Sequence, residues 1–293
     1  MTSLSRPTLP FVETMLTQAC NLSCKGCSNY SDLTHKGYLS WAEGREWLAE
    51  WNKVINIPDF GIMGGEPLIN PECKDWVYGV RDLLPDSQIR FTTNGLLLDR
   101  RWDVFDAVQE IGNAVFKITV HVNDSKLESI ISDIFNRYNW QPINEFGIDR
   151  WVSENGVRFQ INRPEQFIKT FRNDYSNMQP WNSNPRDAFD NCIQQTCPLL
   201  YNGRIYKCST AGLLKDVLAR HGNPNWEDWQ PYLSEGIHWE SDIQDIQQFI
   251  NNFGKPNKIC SQCPSKKDTE SIVNHKIHVY TRKQTDKRLN EKR

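Results

Sequence analysis

Cys20, Cys24 and Cys27 place three thiols within eight residues, separated by three and then two intervening positions. Three thiolates in one loop can hold three irons of a four-iron, four-sulfur cluster and leave the fourth iron open to an outside ligand, unlike the full four-cysteine ligation of an electron carrier. Two plainer readings stand beside this one: a zinc loop short of its fourth ligand, and a chance cluster of buried thiols. Five further cysteines, Cys192, Cys197, Cys208, Cys260 and Cys263, lie in the C-terminal half of the chain. The run from Cys197 to Cys208 has Asn202-Gly203 at its middle, a preferred two-residue hairpin turn. In that register paired residue numbers sum to 405, so Cys197 faces Cys208. The Cys260-Ser261-Gln262-Cys263 pair can complete a second site, for a cluster or for structural zinc. Cys73, isolated in a helical stretch, reads as packing.

Thiols at these positions need a scaffold. Residues 12–17, 60–63, 89–93 and 115–122 are β-branched or aromatic runs that end in polar or Gly residues, which predicts strands. Between them lie helical stretches. Residues 39–54 open on Ser40 as N-cap with Glu43 three positions on, and Asn70, Pro71 and Glu72 open the next. Residues 99–111 and 124–138 complete four strand–helix repeats, too many for one crossover and too few for an eightfold barrel. The fold class is therefore α/β, an open partial barrel with the Cys20 loop at its C-terminal mouth. Residues 146–152 and 157–161, on either side of Glu154-Asn155-Gly156, form a hairpin or the last two barrel strands. The polar, turn-rich stretch 182–185 suggests a boundary, giving a barrel over 1–185, a cysteine-rich module with a β-hairpin and helix over 186–265, and a flexible tail over 266–293. From Pro264 onward nine Lys or Arg face four Asp or Glu. Trp226, Trp229, Tyr232 and Trp239 either pack the module onto its neighbour or cover a substrate.

Three strand ends offer further chemistry. Gly64-Gly65-Glu66-Pro67 follows the second strand, where glycines allow close backbone approach and a carboxylate can accept from an ammonium. Thr92-Thr93-Asn94-Gly95 ends the third. On the fourth, Thr119, His121 and Asn123 alternate and share one face. The cysteine spacing together with these segments resembles the radical S-adenosylmethionine superfamily, whose GGE and TNG motifs match Gly64, Gly65, Glu66 and Asn94. The resemblance implies a partial (β/α)6 barrel, a catalytic 4Fe-4S cluster on Cys20, Cys24 and Cys27, and S-adenosyl-L-methionine held by Gly64, Gly65, Glu66, Asn94 and Thr119. It also implies reductive cleavage of that cofactor to a 5'-deoxyadenosyl radical that takes a substrate hydrogen. The chain departs from relatives with auxiliary clusters at His121, where they carry an acidic residue. His121 is thus a candidate for cofactor contact, for acid–base work, or for structure alone. At Gly26 many relatives carry an aromatic residue, and Tyr30 is a candidate substitute. The second cysteine group resembles SPASM and Twitch modules, the shorter Twitch form above all, which implies one auxiliary 4Fe-4S cluster on Cys197, Cys208, Cys260 and Cys263. Cys192 competes with Cys197 for one of those roles.

Nine cysteines without an export signal argue for metal ligation in a reducing, cytoplasmic setting. A formal charge of -2 gives no electrostatic footprint for nucleic acid, and no run is long and apolar enough to suggest a membrane span. Two substrate classes follow from the resemblance. One is a peptide or protein whose side chain is oxidised, crosslinked or epimerised, which the sequence reading favours by a small margin. The other is a small molecule such as a sugar or aminocyclitol. Activation of a partner enzyme is a third use of the barrel, and a structural zinc protein is the non-enzyme alternative. Nineteen residues precede Cys20, so a peptide substrate would call for a separate recognition protein. The expected reductant is of flavodoxin or ferredoxin type.

Overall fold

The computed structural model describes residues 6–32, 36–143, 150–164, 166–222, 224–269, 271–273, 277–281, 283–285 and 287. The chain begins with β1 (Val12–Met15), the short β2 (Leu22–Ser23), and then β3 (Asp59–Met63), β4 (Gln88–Thr93) and β5 (Ala114–Thr119). Helices α1 (Trp41–Val54), α2 (Cys73–Leu83), α3 (Trp102–Ile111) and α4 (Ser125–Arg137) follow β2, β3, β4 and β5. Each expected strand is present, although the first stops at Met15 rather than running on to 17 and the fourth at Thr119 rather than 122. The Ser40 side chain caps α1 by accepting from the Glu43 N–H at 3.2 Å, and Asp124 caps α4 by accepting from Lys126 at 2.8 Å. The helix expected over 99–111 is broken, with a 3₁₀ turn at Leu98–Arg100 ahead of α3.

Next come the hairpin strands β6 (Trp140–Pro142) and β7 (Arg150–Ser153), then β8 (Arg158–Asn162) and β9 (Gln166–Ile168). The strand expected from residue 146 lies in part outside the described residues. The two alternatives around Gly156 resolve into a combination. β7 turns antiparallel onto β8, and β8 pairs parallel with β5 as a barrel strand.

After α5 (Pro185–Asp190) the chain forms β10 (Leu199–Tyr201) and β11 (Arg204–Tyr206), which pair as Leu199 with Tyr206, Leu200 with Ile205 and Tyr201 with Arg204. Every pair sums to 405. Asn202 and Gly203 both take positive φ, 48° and 75°, as a type I′ turn requires. This hairpin continues the barrel sheet, because β10 lies parallel to β1 with Glu13 opposite Leu199 and Thr14 opposite Leu200. Among the described residues one nine-stranded sheet results, in the order β11-β10-β1-β3-β4-β5-β8-β7-β6. The segment from Trp226 packs rather than gapes, with Trp229 and Tyr232 buried and the Trp229 indole donating to the Met178 carbonyl at 3.1 Å.

The C-terminal stretch, expected to be a free tail, is paired wherever it is described as strand. β12 (Ser271–Val273) runs antiparallel to β9, and β13 (His278–Val279) runs antiparallel to β2, inside the first cysteine loop. The Tyr280 N–H donates to the Asn21 carbonyl at 2.8 Å. No described helix is long and apolar enough to cross a membrane.

Candidate active site

The loop after β1 carries Cys20, Cys24 and Cys27 into a cleft at the C-terminal end of the sheet. Cys20 and Cys24 are buried and Cys27 is partly so, and none is in a disulfide. Burial, then the neighbouring Glu66 carboxylate, pushes the Cys20 thiol well up. Burial and the adjacent Asp32 push Cys27 up to about 11. Crowded thiols this reluctant to ionise would be strongly helped by a cation, since metal coordination deprotonates a thiol outright. Among the described residues no three His, Cys, Asp or Glu side chains already stand in metal-binding geometry. The fit therefore rests on donor chemistry and a shared cleft.

The loop is held from below by the turn after β3. The Gly65 N–H donates to the Thr17 carbonyl at 2.7 Å, and the Glu66 N–H to the Ala19 carbonyl at 2.9 Å. The approach is so close that a Cβ on Gly65 would lie 2.2 Å from the Ala19 oxygen, and one on Gly64 would lie 2.8 Å from the Thr17 oxygen. Glycine is needed here so that the cysteine loop can seat. Both glycines also line the cleft.

The Glu66 side chain is fully buried and is not part of the cleft wall. It accepts from the Thr93 hydroxyl at 2.6 Å, the Asn94 N–H at 2.8 Å and the Leu68 N–H at 3.1 Å. It therefore braces the end of β4. Burial outweighs these three donors and lifts its pKa to about 7. Asn94 does reach the cleft, where its amide donates to the Asn21 side chain at 2.7 Å, next to Cys20. Thr93, Asn94 and Glu66 thus form one relay from the glycine turn to the cysteine loop.

Thr119 and His121 line the opposite wall. His121 stacks on Phe167 with ring centroids 5.3 Å apart, and its Nδ1 is buried without a hydrogen-bond partner. Burial, with help from nearby Lys117, lowers its pKa to about 4, so the ring is neutral at physiological pH. Asn123 is not on this wall. Nor is Tyr30, which is fully buried and stacks on Phe171 at 6.1 Å. The sequence reading missed Lys117 and Asn162, which face the same cleft from β5 and β8. Alternation along β5 was the available signal, because Lys117 sits two residues before Thr119.

Beneath the cleft, the barrel interior holds Glu13, Arg90, Lys117 and Cys197. Desolvation raises the Glu13 pKa from 4.5 to about 8 in spite of Lys117 and Arg90. Native Glu13 thus binds its proton more tightly than the unfolded chain does, so this group stabilises the fold fully below pH 4.5 and the contribution is lost as pH rises toward 8. Over that window the stability should fall by roughly 1 kcal/mol per pH unit from this group. Glu13→Gln should flatten that part of the curve in urea melts at pH 5 and pH 8. Equal slopes for both proteins would place the proton elsewhere.

The remaining cysteines sort differently from the expectation. Cys192, Cys208 and Cys263 line one cavity with Ser28, Ile193 and Thr210. A thiolate at Cys260 would raise the pKa of each of these three, which places it in the same neighbourhood. Cys197 does not line that cavity. The parallel pairing of β10 with β1, reinforced by the Glu13 N–H to Pro198 carbonyl bond of 3.0 Å, carries Cys197 to the barrel interior beside Glu13 and Lys117. The cavity adjoins the first cysteine loop, since Gln194 and Thr210 both donate to Ser28, the residue after Cys27, at 3.2 Å. Cys73 is buried in α2, as its isolation suggested.

Comparison with known proteins bears on the barrel half of the chain. Residues 14–145 match the Radical SAM superfamily. GTP 3',8-cyclase of Aquifex aeolicus (strain VF5) is 28% identical over 138 residues, 45% of this chain and 42% of that protein. Molybdenum cofactor biosynthesis protein 1 of Bos taurus is 31% identical over 112 residues, covering 38% of this chain and 17% of that one. The chain therefore matches less than half the length of these curated relatives. The crystal structure of BtrN in complex with AdoMet and 2-DOIA shares the fold, with a TM-score of 0.50 and 14% identity over 90% of this chain and 95% of that one. The match to the Radical SAM superfamily, residues 14–145, falls on the stretch that carries the thiol loop and its glycine clamp.

Proposed function

We propose that this chain is a radical S-adenosylmethionine enzyme that takes a hydrogen atom from a small-molecule substrate. The observation that carries the reading is the convergence of Cys20, Cys24, Cys27, Gly64, Gly65, Asn94 and Thr119 on one cleft. In this reading the three thiols hold a 4Fe-4S cluster, the backbone at Gly64 and Gly65 and the side chains of Asn94 and Thr119 contact S-adenosylmethionine, and Glu66 keeps those elements in register. The cluster, when bound, supplies the electron that cleaves the cofactor. The protein's own part is to orient the substrate and to exclude water and stray hydrogen donors, with Phe167 and the neutral His121 closing one wall.

A small molecule is favoured over a peptide by the relatives' names. The Aquifex aeolicus relative is named for GTP and the Bos taurus relative for molybdenum cofactor biosynthesis, and the structure that shares the fold was solved with AdoMet and 2-DOIA. The peptide-modifying reading and its separate recognition protein gain no support from them. We assign a second, auxiliary cluster to Cys192, Cys208, Cys260 and Cys263 in the module over 186–265, with Cys197 left out. Its cavity meets the active cleft at Ser28 and Ile193, a suitable place from which to remove an electron after hydrogen abstraction. A flavodoxin- or ferredoxin-type protein is the proposed electron donor.

Anaerobic reconstitution with iron and sulfide tests the reading. The wild type should take up roughly eight irons and form 5'-deoxyadenosine from S-adenosylmethionine under reductant, and a variant with Cys20, Cys24 and Cys27 all changed to Ala should lose about four irons and all cleavage. Zinc uptake without iron, and no cleavage by the wild type, would sink it.

A further inference from the structure

Lys117 stands between the cleft and the space beneath it. It lies on β5 two residues before Thr119, and it lines both the cleft and the barrel interior beneath. Among the described residues its ammonium has no hydrogen bond and no ion pair. The groups around it do not neutralise it. Glu13 is lifted to about 8 by burial and so carries its proton at neutral pH. Arg90 is a second cation, and the carboxylate of Asp59 is already committed to it through bonds of 2.8 and 2.7 Å from Nε. Arg150 adds a third positive charge to the same surroundings, while His121 is neutral. Across the cleft, Asp32 accepts from the Tyr175 hydroxyl at 2.5 Å. A half-buried ammonium without a partner carries a desolvation cost, and burial accordingly lowers the pKa of Lys117. A ligand bringing its own negative charge would relieve that cost and gain a charge-assisted hydrogen bond in a desolvated site.

We infer that Lys117 is the substrate-anchoring residue of the cleft, and that the substrate carries an oxyanion, a phosphate or a carboxylate, that pairs with its ammonium. The inference rests on the small-molecule reading above and narrows it. Lys117 acts here by binding and selecting, so its substitution should appear first in affinity.

Calorimetry on the reconstituted full chain, held without reductant and saturated with S-adenosylmethionine, tests the inference with inorganic pyrophosphate and with oxalate as probes. The wild type should bind at least one of the two. K117M should weaken that binding about tenfold or more, and K117R, which keeps the charge, should stay within roughly threefold of wild type. The far-UV spectrum and iron content of K117M guard against misreading a folding defect, and K117Q, which also removes the charge and should also weaken binding about tenfold, carries the test if K117M does not fold. The inference is overturned if neither anion binds the wild type, if K117M binds as well as wild type, or if K117R loses binding together with K117M. It is overturned as well if K117M loses affinity for S-adenosylmethionine itself, since the ammonium would then serve the cofactor's carboxylate. Iron uptake and 5'-deoxyadenosine formation by the wild type judge the broader reading separately, so the two can fail independently.

Discussion

Gly65→Ala should leave a protein that folds but no longer loads or uses its first cluster. The new methyl group would sit 2.2 Å from the Ala19 carbonyl oxygen and 2.8 Å from that of Gln18, both backbone atoms of the cysteine loop. A side chain could rotate away, but backbone cannot, so the loop must lift off the turn. Lifting it costs the Gly65-to-Thr17 and Glu66-to-Ala19 hydrogen bonds. Overpacking of this kind typically costs 1–3 kcal/mol, here on the order of 2 kcal/mol given the two bonds at risk. The functional loss should be larger than the loss of stability, because Cys20 follows Ala19 directly and its thiol moves with the loop. We expect about half the wild-type iron and at least a hundredfold less 5'-deoxyadenosine, measured beside a urea melt that shows a folded protein. Wild-type iron and cleavage in this variant would show that the clamp is dispensable.

The second large effect separates two cysteines five residues apart. Cys192→Ser should lower the iron content by roughly four per chain, whereas Cys197→Ser should leave it unchanged. The difference comes from topology. Cys192 lines a cavity with Cys208 and Cys263, while the pairing of β10 with β1 carries Cys197 into the barrel interior beside Glu13. Iron counts on the two single variants decide the matter. Loss of iron in Cys197→Ser alone would restore the ligand set expected from sequence.

Sequence spacing anticipated local features well and non-local ones poorly. The β10–β11 register followed from Asn202-Gly203 because turn geometry alone sets a short hairpin's pairing. The Ser40 cap was legible for a similar reason, since donor and acceptor lie within a few residues. The face of the barrel to which Cys197 turns was not legible. It depends on pairing with a strand nearly two hundred residues earlier, and no local pattern records that. Glu66 was found, but its bonds to Thr93 and Asn94 were not foreseen, because a GGE motif shows a carboxylate near the cleft without showing which protein groups it also holds. Lys117 was passed over because lysine is ordinarily a surface residue. Its alternation with Thr119 and His121 was nevertheless in plain view.

The pairing of β13 with β2 constrains the order in which the protein matures. The edge of the first cysteine loop is completed by Val279 opposite Leu22 and His278 opposite Ser23, residues made some 250 positions later on the ribosome. During synthesis the loop therefore exists for most of the chain's elongation without its covering strand. Contacts of such high sequence separation tend to form late. Until His278 and Val279 pair with it, the thiol loop has one open edge, so its three cysteines stay more accessible to any incoming ligand than they are in the finished fold.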